Sequence, residues 1–220
     1  MYNNYNMNAS TYIFIGPQGS GKGTQAEFLV QKLNAEFVEM GGLLREISSQ
    51  DTEFGKHVKG LIDQGVLLTD DDIEKVLTEK LSHINSSKIV VFDGVPRRIG
   101  QANFLLRLLG EIGRKDLVTI YISLPREETF HRLSLRRICE VCTTPAISNG
   151  DSNQVCEKCG GKLIIRKDDT EEAINKRLDQ YETDTLPVVD FLRDHTKFVE
   201  IDGDQIIPKV TSDINAALGI

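Results

Sequence analysis

The segment Tyr12-Ile-Phe-Ile-Gly-Pro-Gln-Gly-Ser-Gly-Lys-Gly-Thr24 sets the narrowest limits on what this chain can become. Gly16 to Lys22 matches G-x-x-x-x-G-K, and the match lies between a buried-strand pattern and a helical one. The strand is the apolar run Tyr12-Ile-Phe-Ile15, and the helix follows from Ala26, Phe28, Leu29 and Leu33 at helical spacing over 22–33. Glycines at such a turn open backbone conformations closed to residues with a Cβ, so successive N–H groups can face phosphate oxygens. The following helix adds its positive dipole end, and Lys22 adds a mobile charge. A merely flexible glycine turn would not need this context on both sides. Gly19, Ser20, Gly21, Lys22, Gly23 and Thr24 are therefore the candidate phosphate-binding residues. Gly23 stands where most such loops carry the Ser or Thr that ligates magnesium, so phosphate oxygens and water are expected to hold the metal.

Beyond the loop, the chain alternates strand and helix patterns. Lys88-Ile-Val-Val-Phe-Asp93, Leu117-Val-Thr-Ile-Tyr-Ile122 and Lys197-Phe-Val-Glu-Ile-Asp202 read as further strands. Helical patterns cover about 69–82, 99–109, 126–137, 169–193 and 206–218, the last starting near Pro208. This alternation predicts an α/β fold, a parallel sheet flanked by helices. Residues 41–68, helical and polar, and residues 138–166, punctuated by Gly and Cys, do not fit it and read as insertions. The expected organisation is a flexible extension at 1–10, a core built from 11–39, 69–137 and 167–220, and insertions at 40–68 and 138–166.

Charge excludes some partners. With 26 Lys/Arg against 33 Asp/Glu, the chain of 220 residues carries −7 and has a sequence pI near 5.2. Extended nucleic acid and anionic membrane are poor partners for such a surface. The first ten residues hold no Lys or Arg and no apolar run, so they do not read as a signal peptide, and no segment approaches a membrane span. A cytoplasmic, soluble protein is expected. His57, His83, His131 and His195 sit in no motif and read as surface or structural.

All four cysteines lie in one insertion. Cys139-Glu-Val-Cys142 and Cys156-Glu-Lys-Cys159, thirteen residues apart, are two C-x-x-C knuckles able to place four thiolates around zinc. The gap is slightly shorter than the usual ribbon spacing. Two disulfides or four loose thiols are the competing readings, and a cytosolic setting disfavours the first. About thirty residues bury little core, so a metal would stabilise this insertion.

Three runs carry a resemblance to a known family: Gly16-Pro-Gln-Gly-Ser-Gly-Lys-Gly-Thr-Gln25; Phe92-Asp-Gly-Val-Pro-Arg-Arg98 with Gln101; and Arg166-Lys-Asp-Asp-Thr-Glu-Glu172 with Lys176-Arg-Leu178. In order and spacing the chain from about Thr11 onward resembles the adenylate kinases, closest to the bacterial type with a long, zinc-binding lid. The resemblance implies a P-loop NTPase sheet, a helical NMP-binding insertion at 40–68 and a zinc-binding lid at 138–166. It implies Mg-dependent, reversible phosphoryl transfer, ATP and AMP giving two ADP; nothing in the sequence demands more than a monomer. Position by position, Lys22 and the loop amides would bind the ATP phosphates, and Asp93 would orient water on Mg²⁺. Arg45 and Arg97 would hold the acceptor phosphate, with Met40 and Gly94 lining that site and Gln101 reading the base. Arg132, Arg136, Arg166 and Arg177 would close around the transferred group. Phosphoryl transfer is served by positioning and cationic stabilisation, for which arginine's planar fork is suited. Arg132 and Arg136, four apart in the predicted 126–137 helix, are expected to share a face. Arg98, Arg126 and Arg137 read as surface residues.

The acceptor region departs from the family pattern. Where members usually read Thr-Gly-Asp/Glu, this chain has Met40-Gly41-Gly42. The Thr that helps recognise adenine and a carboxylate near the metal's water shell are both missing, and Val95 replaces a usual Phe. A kinase acting on UMP or CMP is thus the close alternative, although Gln101 favours AMP. One lost hydrogen bond costs on the order of 1 kcal/mol, enough to soften selectivity without switching it.

Two readings from other classes compete. A nucleic-acid-binding ATPase would use the knuckle as a zinc ribbon, but the stretch 138–165 has no aromatic residue and only Lys158 and Lys162 as bases. An inactive nucleotide-binding module is the other. Six arginines from four segments converging on phosphates would make the cleft positive while the outer surface stays acidic.

Overall fold

The computed structural model describes residues 11–63, 66, 68–142, 144–148, 155–165 and 169–220. The N-terminal extension 1–10 and Arg166 fall outside the described residues.

Five parallel strands form the central sheet in the order β2-β3-β1-β4-β8: β1 (Thr11–Ile15), β2 (Glu36–Glu39), β3 (Val90–Asp93), β4 (Leu117–Ser123) and β8 (Lys197–Asp202). Every residue of β1 and β3 is buried, as expected of strands covered on both faces. One face packs Ile13, Val38, Val90 and Phe92 under α4 (Asp70–Ser82), α5 (Ile99–Glu111) and α8 (Leu186–His195). The other packs Phe14, Val91, Ile120 and Ile201 under α1 (Lys22–Leu33) and α9 (Ile207–Leu218). The alternation read from the sequence is thus a parallel sheet with helices on both sides.

Strand β2 escaped the sequence reading. Of Glu36-Phe-Val-Glu39 only Val38 is buried, because β2 is an edge strand. Four residues bounded by acids give too short an alternation to register. After it come α2 (Met40–Ser48) and α3 (Glu53–Asp63), the helical insertion, before Thr69 starts α4 with a reciprocal capping box to Asp72.

Two predicted helices end differently. Helix α6 spans Arg126–Leu135, and the chain then turns extended at Arg136. Strand β5 (Arg136–Cys139) lies between β6 (Pro145–Ile147) and β7 (Leu163–Ile164) in a small antiparallel sheet. Arg132 and Arg136 therefore do not share a helical face, since the ladder of β5 with β6 takes the backbone groups that would have continued the helix. The pattern over 169–193 divides into α7 (Glu171–Gln180), a π turn at Tyr181–Thr185 and α8. Thr170, whose side chain accepts from the Ala173 N–H, caps α7. No described helix is long and apolar enough to cross a membrane.

Candidate active site

The site gathers at the C-terminal edge of the sheet, where ligands bind in open α/β folds. Gly19 and Gly21 hold the loop after β1 in left-handed conformations (φ 83° and 88°), and Gly21 opens α1. Lys22 is the first residue of that helix. Its ammonium reaches back over the loop to the Pro17 carbonyl at 3.4 Å. Burial lowers the Lys22 pKa, an effect opposed by Asp93 and reinforced by the charges of Arg97 and Arg136. The charges of these three side chains and of Glu39 all act on Lys22.

Asp93 ends β3 and is buried; desolvation raises its pKa, with Lys22 and Arg97 pulling the other way. A Cβ on Gly23 would lie 3.2 Å from Asp93 Oδ2, so the glycine gives this carboxylate its room beside α1. Asp93 Oδ1, Gln18 Oε1 and Ser20 Oγ are buried without a hydrogen-bond partner. Orphaned polar atoms around a glycine loop fit an absent polar ligand. A small cavity there is lined by Gly16, Gln18, Lys22, Gly94, Arg97 and Tyr181. A wider depression on α4, lined by Asp71, Glu74, Lys75 and Glu79, is open and holds no converging groups.

Arg97 is oriented by its neighbours. Its Nε donates to the Gly94 carbonyl at 2.9 Å, its backbone N–H donates to Gln101 Oε1 at 2.9 Å, and its carbonyl accepts from Thr185 Oγ1 at 3.1 Å. The π turn thus docks on the segment after β3. Gln101, buried on α5, also donates from Nε2 to Asp70 Oδ1 at 3.0 Å. Its amide is engaged on both sides within the protein. Met40 is buried at the start of α2 against Gly94.

The remaining cations arrive by different routes. Arg136 enters from β5 and Arg177 from α7, and both hold Asp169, whose side chain is 1% exposed. Arg132 binds Glu128 (2.7 Å) and the Gly203 carbonyl (2.9 Å), and Gly203 packs against the loop at Ser20. Arg45 is exposed and pairs with Glu39 at 3.3 Å. Arg126 pairs with Asp179 and Glu182, Arg98 with Asp70 and Asp184, both away from the loop. Lys22 and Arg97 thus line one cavity, the charges of Asp93 and Arg136 act on Lys22, Arg136 and Arg177 share Asp169, and Arg132 and Arg45 are held by other partners.

Asp169 and Glu39 were not singled out from the sequence. Asp169 lies in the Arg-Lys-Asp-Asp-Thr run, and the surplus of arginines converging there required a carboxylate partner. Glu39 carried no signal, because β2 itself was unrecognised.

The four cysteine sulfurs lie within 4.8 Å of one another. Their contacts of 3.3–3.5 Å are too long for disulfides, and tetrahedral zinc spaces its sulfurs about 3.8 Å apart. Hydrogen bonding with Thr144 lowers the Cys142 pKa to about 6, while at Cys159 a lowering backbone hydrogen bond from Gly161 is outweighed by the adjoining Cys142 and Cys139 thiols, which push it up to about 12, so the thiols share protons among themselves. Donor set and spacing fit a metal ion.

The family model described as adenylate kinase matches residues 14–197. A protein of Methanocella arvoryzae named adenylate kinase is 36% identical over 210 residues, covering 94% of this chain and 97% of that protein. One of Desulforudis audaxviator with the same name is 37% identical, covering 94% and 98%. A third, from Caldanaerobacter subterraneus subsp. tengcongensis, is 35% identical over 214 residues, covering 94% and 95%. The family model spans most of the chain and the relatives match it almost end to end, so the chain belongs to the adenylate kinase family.

Proposed function

We propose that this chain catalyses reversible transfer of the γ-phosphoryl group of Mg-ATP to AMP, giving two ADP. The observation that carries the proposal is the cavity where the glycine loop, Lys22 and Arg97 meet, with the buried carboxylate of Asp93, whose Oδ1 has no partner, acting on Lys22.

An oxygen of the AMP phosphate attacks the γ-phosphorus while the bond to the β-bridging oxygen breaks, and ADP leaves. Charge spreads over the transferred oxygens, so catalysis consists of placing donors where that charge develops. Amides of Gly19–Thr24 and the Lys22 ammonium hold the donor phosphates. Arg97 and Arg45 hold the acceptor phosphate, and Met40, Gly94 and Gln101 line its nucleoside side. Arg132, Arg136 and Arg177, with Arg166, surround the moving group. Magnesium bound to ATP neutralises phosphate charge; Asp93, carrying a free buried oxygen, is the residue to orient its water. No covalent nucleophile is needed.

The insertions at 40–68 and 138–166 act as acceptor-binding domain and lid, excluding water when they close. In the lid, Val141, Val155, Ile147 and Ile165 are exposed, and no described buried apolar cluster reaches it. Zinc on the four cysteines supplies the cohesion that a core would otherwise give. The enzyme works as a cytoplasmic monomer.

Turnover with AMP, UMP and CMP at one ATP concentration tests this reading. Preference for AMP is expected; equal or greater turnover with UMP or CMP would assign the chain a pyrimidine acceptor.

A further inference from the structure

We infer that Glu39 is a second acidic positioning residue of the transfer centre, its carboxylate set beside that of Asp93 to face the water shell of the nucleotide's magnesium. This rests on the proposed function and goes beyond it, because neither motif nor resemblance assigns position 39 a role.

The placement follows from the sheet. Strands β2 and β3 are parallel neighbours, and Glu39 is in register with Asp93, each the last residue of its strand. Residues paired in register project from the same face of a sheet. Glu39 thus stands next to Asp93 at the edge where the phosphate loop begins. Its negative charge acts on both centre groups, opposing the desolvation of Lys22 and adding to that of Asp93.

The carboxylate is held by a local device. Glu39 Oε2 accepts from the Gly42 N–H at 2.6 Å and from Arg45 Nη2 at 3.3 Å. A Cβ on Gly41 would lie 2.7 Å from Oε1, and one on Gly42 would collide with Oε2. The two glycines are the space that this side chain occupies. A carboxylate on residue 42 and this position of Glu39 are mutually exclusive.

Capping α2 does not by itself account for a glutamate. Ser, Thr, Asp and Asn satisfy such amides with shorter side chains and are the favoured caps. Two neighbouring carboxylates also repel, and a hydrated cation facing both offsets that cost. Asp93 Oδ1 is buried and unpartnered, pointing to such a ligand.

The test uses Mn²⁺ in place of magnesium, titrated into the full-length enzyme saturated with ADP and followed by its paramagnetic resonance signal. Glu39→Gln keeps an oxygen for the Gly42 N–H but removes the charge. Glu39→Ser keeps a short cap, and Glu39→Ser with Gly42→Asp returns a carboxylate from the other residue. Both single variants should weaken Mn²⁺ binding by about 3–10-fold, and the double variant should recover most of it. The free Mg²⁺ giving half-maximal turnover should rise in parallel. Mn²⁺ affinity within twofold of the parent in both folded single variants would overturn the inference. So would a change confined to AMP affinity, which would assign Glu39 to Arg45 alone. Failure of the parent enzyme to phosphorylate AMP would instead overturn the proposed function.

Discussion

Arg136 meets Asp169 through two parallel hydrogen bonds, Nε to Oδ2 at 2.7 Å and Nη2 to Oδ1 at 2.6 Å. This fork joins the first strand of the small sheet to the residue preceding the α7 cap. Arg177 adds a third bond to Oδ1 at 2.6 Å, so one buried carboxylate orients two cations from different elements. Without it, the two guanidinium groups would repel each other.

Asp169→Asn should separate this pair. Burial pushes the Asp169 pKa up, but the bonds from Arg136 and Arg177 outweigh it and hold it below the ordinary carboxylate value. A depressed carboxylate pKa stabilises the fold above the unfolded-state value and loses that contribution as pH falls through the folded value. The parent should therefore lose stability on acidification below about pH 4, and the variant should lack this component. At pH 7 the variant should melt lower by the equivalent of about 3 kcal/mol and turn over about 10²-fold more slowly. Equal acid sensitivity in thermal melts at pH 3–7 would show that the fork carries no linked stability.

Lys22→Ala should lower kcat by about 10²–10³-fold or more. The melting temperature should stay equal or rise, because the variant no longer buries a charge that desolvation disfavours. Unchanged turnover in the folded variant would show that the Lys22 ammonium does not serve the transfer, whereas no turnover in the parent would leave a nucleotide-binding module without catalysis.

Removal of metal should unfold the lid before the sheet. Elemental analysis should find one zinc per chain, and a strong chelator should produce an early transition in a melt followed by differential hydrogen exchange, with lost protection confined to about 136–165. An unchanged melt and absence of zinc would leave the cysteine cluster as four thiols.

Met40→Thr should change stability and selectivity in opposite directions. Met40 is 3% exposed, so the shorter polar side chain leaves a cavity and costs about 1–3 kcal/mol. If adenine lacks one hydrogen bond here, the hydroxyl should lower KM for AMP about 5-fold relative to UMP. A fall in stability with KM unchanged would place Met40 in the core alone.

Much of the site was legible because it depends on local chain order. Gly19, Gly21 and Lys22 act through one turn and one helix start, and Asp93 sits where an apolar strand meets Gly94. Arg136 was a candidate assigned to the wrong element. Its spacing from Arg132 fits a helical face, but Leu135 ends α6 because β6 and β7 offer β5 a ladder, and periodicity carries no information about such partners. Gln101 was identified as a base reader, yet its amide bonds Arg97 and Asp70, a network assembled across α4 and α5.

The sequence by itself determined the phosphate loop, the alternating sheet architecture and the cysteine knuckles, because each is encoded by residues within one or two turns of chain. Only the tertiary structure decided which acids answer the converging cations. Asp169 lies 33 residues from Arg136 and Glu39 lies 54 from Asp93. Their pairing depends on strand order and register, which burial of the whole sheet selects, and no local pattern encodes it.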